Sequence, residues 1–158
     1  MENIDTVLKP EHVLLGVEAG SKEDAIKRLI KLLVDGGAVK AADESAVFDA
    51  VMAREARGST GLGEGIAVPH VRDCSHVDGL VAAFGRSDEG VPFEAIDGNP
   101  VHLIFLILGG PDTSDQHTQF LRTLASLRQH EHFLRFLRDA PDEAGAWDTI
   151  KEMLESLS

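Results

Sequence analysis

The chain has 158 residues, 43% of them hydrophobic, enough for one domain with its own core. Its 15 Lys and Arg against 27 Asp and Glu leave a formal net charge of −12. That argues against nucleic acid as a partner, because such binders gather basic side chains on one face. The longest apolar run, Val101–Leu108, falls far short of the roughly 20 residues that cross a bilayer, so no membrane insertion is expected.

The first twelve residues hold no basic stretch followed by an apolar one, so no secretory leader is expected. Val13–Val17 reads as a short strand ending at the Glu18-Ala19-Gly20 turn. Ser21 caps a helix, with Asp24 in a capping-box-like place. Ile26, Leu29, Ile30, Leu33 and Val34 form its apolar face, and Gly36-Gly37 stops it. A second helix runs from near Asp43 to about Arg57, burying Val47, Phe48 and Val51.

Gly58 to Gly65 carries four glycines in eight residues and reads as a loop. Short apolar stretches follow at Ile66–Val68 and Leu80–Phe84. After the turn Asp97-Gly98-Asn99-Pro100, Val101–Leu108 is apolar on both faces, as a central strand covered on both sides would be. Beyond Gly109-Gly110-Pro111, a helix capped by Ser114 or Asp115 runs from Gln116 to about Leu127, with Phe120, Leu121, Leu124 and Leu127 inward. Phe133, Leu134, Phe136 and Leu137 indicate a short helix, and Pro141 marks the start of a last one reaching Leu157. The order is α/β, and without repeats or linkers it reads as a single domain over residues 1–158. One cysteine, Cys74, allows no internal disulfide and fits a reducing cytoplasm.

The segment from Arg54 to His70 carries the chemistry. Its glycines offer backbone N–H groups that can converge on an anion. No Gly-Lys-Ser/Thr follows, so it is not a nucleotide P-loop, and it leads into a strand, unlike a dinucleotide fingerprint. His70 follows Pro69, whose φ is fixed, so the imidazole should project from a rigid strand end. A neutral imidazole has a free ring lone pair near pH 7 and makes a good phosphoryl acceptor. Taken singly, any of the seven histidines reads as an ordinary surface or core residue; context separates His70 from the rest.

That context is the run Arg54-Glu55, then Gly58-Ser59-Thr60-Gly61-Leu62-Gly63-Glu64-Gly65-Ile66-Ala67-Val68-Pro69-His70. It resembles the signature of the fructose/mannitol-type enzyme IIA domains of the bacterial phosphoenolpyruvate-dependent phosphotransferase system, which include the nitrogen-regulatory enzyme IIA proteins. The resemblance continues through Phe84-Gly85-Arg86-Ser87, Phe93 and Ala95–Leu106 into His117 and the Leu121–Leu127 helix. It implies a mixed β-sheet flanked by helices, with His70 as the phosphorylated residue and His117 and Arg54 completing the site. It also implies a phosphohistidine donor of the HPr type. The acceptor is then an enzyme IIB cysteine in sugar uptake or, in the alternative, phosphorylation controls binding to regulatory proteins. No cofactor or metal is required, because donor and acceptor are themselves activated. Arg54 supplies charge-assisted hydrogen bonding, and Ser59, Thr60, Gly61 and Gly63 are candidate phosphate contacts. Where many relatives have Gly or Ala and then Lys after Pro-His, this chain has Val71-Arg72, a change that bears on partner choice.

Other residues carry weaker alternatives. His70, Cys74 and His76 lie close in sequence but match no common zinc spacing. Cys74 reads as a small semi-buried residue, His102 as a hydrogen-bonded strand residue, and His12, His130 and His132 as surface groups. Trp147 reads as a core anchor of the last helix. A plain anion-binding module that uses the glycine loop is the alternative outside phosphotransfer.

Overall fold

The computed structural model describes residues 4–157; residues 1–3 and 158, at the ends of the expected domain, lie outside these. A one-turn helix α1 (Ile4–Val7) and a 3-10 turn (Pro10–His12) lead into strand β1 (Val13–Leu15). The sequence pattern showed no element before β1. This segment orders because Ile4, Val7 and Leu8 are buried against the last helix and the sheet. His12 is buried too and not at the surface, a correction whose physical reason is that its ring lies against Gly36, which has no side chain to keep it away.

Helix α2 (Lys22–Asp35) begins as its sequence requires: Ser21 Oγ accepts the Asp24 N–H at 3.2 Å. Helix α3 (Glu44–Ala56) buries Val47 and Val51 and leaves Phe48 half-buried. The second half of the glycine run is not a loop. It forms strand β2 (Gly61–Gly63), paired antiparallel with β3 (Ile66–Ala67). The two residues between them, Glu64 and Gly65, both have positive φ (56° and 77°), the geometry that a tight hairpin turn demands. Gly61 lies so close to Ala95 that a Cβ would stand 2.7 Å from the alanine's own. These glycines serve close packing and turn geometry, and lacking side chains they show no alternation by which a strand could be read.

Strands β4 (His70–Val71), β5 (Leu80–Val91) and β6 (Val101–Gly109) follow, then helices α4 (Ser114–Ser126), α5 (Glu131–Asp139) and α6 (Glu143–Leu157). The six strands form one mixed sheet in the order β1-β5-β6-β3-β2, with β4 also on β6. β1 lies parallel to β5, β5 antiparallel to β6, and β3 and β4 both parallel to β6. β6 is the central strand, and its period of two sorts the core. Leu103, Phe105 and Ile107 pack with residues of α4, α5 and α6, whereas Ile104, Leu106 and Leu108 pack with residues of α2 and α3. Among the described residues no helix is long and apolar enough to cross a membrane.

The register explains where the site falls. Ile66 and Ala67 stand opposite Leu103 and Ile104, and His70 and Val71 stand opposite Ile107 and Leu108. β3 and β4 are therefore one line along the edge of β6, interrupted at Val68-Pro69, where Pro69 has no N–H to give. Its carbonyl still accepts the Ile107 N–H at 3.0 Å. Ile66 and Val68 belong to the core on the α4–α6 side, and the same alternation carries His70 to that face.

Candidate functional site

His70 is half-buried, and its Nδ1 lies 2.8 Å from the Val68 carbonyl oxygen. A carbonyl can only accept, so Nδ1 carries the proton and Nε2 keeps its lone pair. Burial is the main influence lowering the His70 pKa from its ordinary value; the Val68 carbonyl opposes it, and Arg54 and Arg72 act with it. A neutral ring held in one tautomer, with Nε2 as the nucleophilic atom, is the result.

His117 lies in the first turns of α4, and its ring centroid is 5.5 Å from that of His70 with the planes at 71°. The side chain is fully buried, yet neither ring nitrogen has a hydrogen-bond partner among the described residues. An orphaned buried polar group costs stability and is uncommon in folded proteins. Its pKa is lowered to about 4, chiefly by burial and further by Arg72 and His70, so it too is neutral at pH 7. Gly109, at the end of β6, makes room for it: a Cβ there would stand 2.4 Å from His117 Nδ1. Two uncharged imidazoles, one of them unpartnered, thus face each other at the sheet edge.

Arg54 sits in the last turn of α3, and its Nη1 donates to the Gly58 carbonyl at 2.9 Å, joining the helix end to the glycine loop. It lines a groove of about 280 Å³ with Ala53, Arg57, His70, Val71 and Arg72. Three guanidiniums around one histidine make a strongly positive patch on a chain of net charge −12. The structure therefore brings His70, His117 and Arg54 into one neighbourhood.

Ser59 and Thr60 are placed differently. The Ser59 hydroxyl donates to the Phe93 carbonyl and also accepts the Gly61 N–H at 3.1 Å. The Thr60 hydroxyl donates to Glu55, and the Thr60 N–H reaches the same carboxylate at 3.1 Å. Gly61 and Gly63 lie in β2. These four residues shape the loop through bonds internal to the fold. Glu55, buried and paired with Lys22 at 3.1 Å, anchors that loop, a role the sequence reading did not assign. Its adjacency to Arg54 and the five-residue spacing to Thr60 were the available signals.

Arg57 and Arg72 were also missed as members of the groove, although Arg57 is one helical turn from Arg54 and Arg72 is two residues beyond His70. Of the other residues singled out, Cys74 is buried, His76 Nδ1 stands 3.3 Å from Asp43, and His102 Nδ1 stands 2.9 Å from the Ser87 carbonyl. Among the described residues no group of three His, Cys, Asp or Glu side chains is arranged to hold a metal ion. Trp147 is half-buried, its indole N–H donating to the Leu8 carbonyl at 2.9 Å.

Comparison with known proteins follows the same line. A family model described as "Phosphoenolpyruvate-dependent sugar phosphotransferase system, EIIA 2" matches residues 6–153, and the chain belongs to that family. It is 35% identical over 153 residues to a fructose-specific EIIA component from Haloferax volcanii, covering 97% of each chain. It is 30% identical over 153 residues to a nitrogen regulatory protein from Pseudomonas aeruginosa, again covering 97% of each. A fructose-specific EIIABC component from Bacillus subtilis is 34% identical over 149 residues, and there the chain, 94% of it aligned, spans only 23% of the relative's length. Among solved structures, the nitrogen regulatory protein IIA-Ntr from Neisseria meningitidis superposes with a TM-score of 0.82 at 32% identity, covering 96% of this chain and 98% of that one. Enzyme IIA for mannitol from Escherichia coli, solved in complex with phosphorylated enzyme IIB, gives 0.74 at 27% identity, covering 95% and 99%. The mixed sheet between helical layers is thus the fold of the mannitol-type EIIA proteins.

Proposed function

We propose that this protein is a phosphocarrier, an EIIA that accepts a phosphoryl group on His70 Nε2 and passes it to a protein acceptor. The observation that carries the reading is the His70 ring itself, neutral, fixed through Nδ1 to the Val68 carbonyl, with Nε2 bare beside an unpartnered His117. In the first transfer the Nε2 lone pair attacks phosphorus of an HPr-type phosphohistidine. The donor's N–P bond breaks, its electron pair stays on the donor ring, and a new N–P bond forms on His70. In the second, a cysteine thiolate of an enzyme IIB attacks the same phosphorus, and the His70 N–P electron pair returns to Nε2. His117 donates an N–H to a phosphoryl oxygen, and Arg54 offsets the roughly −1.5 to −2 charges that the group brings. The reading gives Ser59, Thr60, Gly61 and Gly63 the task of shaping the loop and no direct phosphoryl contact.

Both transfers suit a site that a protein can cover, and His70 is half-buried at the edge of a groove and not sealed inside the fold. Incubation with a phosphohistidine donor system, followed by mass spectrometry, tests the reading. Wild type should gain one acid-labile phosphoryl group and His70→Ala none. Equal labelling of the two overturns it.

A regulatory output is the second reading, in which phosphorylation of the same His70 governs binding to other proteins. The closeness of fold to the Neisseria IIA-Ntr supports it, as does the full-length match to a nitrogen regulatory protein. Transfer from labelled protein onto an enzyme IIB distinguishes the two, because a purely regulatory member retains its label.

A further inference from the structure

Arg72 has no part in the phosphocarrier mechanism as drawn, yet it joins the two elements that carry the histidines. It stands two residues after His70, just beyond β4. Its Nη1 donates to the Ser114 carbonyl at 3.3 Å and its Nη2 to Thr118 Oγ1 at 3.1 Å. Ser114 opens α4, and Thr118 directly follows His117. One planar fork therefore spans from the strand edge that holds His70 to the helix that holds His117. The same guanidinium lines the groove with His70, Arg54 and Arg57.

We propose that Arg72 is a positioning residue for phosphoryl transfer, a fork that holds the end of β4 against the first turns of α4 so that an incoming phosphoryl group meets both imidazoles at a set separation. The inference rests on His70 being the acceptor. It has an electrostatic side as well. His70 is faced by Arg54 and Glu55 from α3, by Arg57 just past its end, by Arg72 from the end of β4 and by His117 from α4; His117 is faced by Arg72 and His70. Of these groups, Arg72 is the cation that acts on both rings, and it disfavours their protonated forms. Lysine at this position supplies the charge without the two-pronged geometry, which separates the two contributions.

The experiment compares wild type, Arg72→Lys and Arg72→Gln in two measurements: single-turnover phosphorylation by an HPr-type donor across pH, and NMR titration of the His70 and His117 ring signals without phosphate. Arg72→Gln should slow phosphorylation roughly tenfold and move the titration of both histidines to higher pH. Arg72→Lys should return the titrations close to wild type but recover only part of the rate. A wild-type rate for Arg72→Gln, or a slower rate with both titrations unmoved, overturns the inference; the latter marks a merely structural contact. A wild type that takes no phosphoryl group removes the acceptor assignment and this inference with it. A labelled wild type matched by an equally fast Arg72→Gln removes the inference alone.

Discussion

Replacing His117 by Gln should flatten the acid side of the stability profile. In the folded protein the His117 pKa is lowered to about 4 from 6.5, because the ring is buried and faces Arg72 and His70. In the unfolded chain it titrates near its ordinary value. Between those two pH values the unfolded state binds the proton and the folded state does not, so stability falls as pH falls. The linkage relation gives a loss of about 2 kcal/mol between pH 7 and pH 5, approaching about 3 kcal/mol near pH 4. The contribution is fully restored above the ordinary histidine value. His70 and His12 are shifted in the same direction and steepen the wild-type curve below the ordinary histidine value, but they remain in the variant. The difference in slope between wild type and His117→Gln therefore isolates one residue. Urea unfolding at half-unit steps from pH 7 to pH 4.5, read as free energies with m-values checked for constancy, is the assay. Parallel profiles for the two proteins would refute the argument, and would mean that the ring reaches solvent or a partner that keeps its titration ordinary.

Arg54→Ala should cut phosphotransfer at least roughly tenfold while shifting thermal unfolding little, since one surface contact to Gly58 is lost but a charge-assisted one of about 1.5–3 kcal/mol is removed from the transfer step; stopped-flow transfer kinetics beside a melting curve check it. His117→Ala should still be labelled at His70 but pass the group on slowly, with His117→Gln intermediate because an amide keeps an N–H donor; single-turnover transfer to an enzyme IIB is the measurement. Gly109→Ala should displace the His117 ring, since the new Cβ would lie 2.4 Å from Nδ1 and 3.0 Å from Thr113 Oγ1. A destabilisation of about 1–3 kcal/mol with slowed transfer is expected, and unchanged values in both would show that the ring has room to move.

Much of the architecture was legible along the chain, because long apolar periods survive without tertiary knowledge. The apolar face of α2 repeats often enough to be recognised, the Ser21 cap is a local side-chain preference, and β6 carries a long unbroken apolar run. Shorter or weaker patterns were lost. β4 is two residues long and has no period at all; β2 is mostly glycine and shows no alternation. β5 extends past Phe84 to Val91 through the polar stretch Arg86–Gly90, where pairing with β6 resumes only at Val91 after an irregularity. Phe136, in an apolar cluster on paper, is an exposed residue of α5.

The sequence by itself determined which residue is the acceptor candidate: His70, after a glycine run and a proline, within a long family signature, together with the α/β order around it. Only the tertiary structure decided what state that histidine is in. Its tautomer depends on a carbonyl two residues back, its neutrality on burial and on two arginines, Arg54 at the end of α3 and Arg72 just past β4, and its companion on a ring 47 positions away that fits because Gly109 has no side chain. The sequence also offered Ser59 and Thr60 as candidate phosphate contacts, and folding commits their hydroxyls to Phe93 and Glu55. The physical reason is common to all of these. Hydrogen-bond partners and desolvation are set by what arrives from distant parts of the chain, and a linear pattern records only which groups are available.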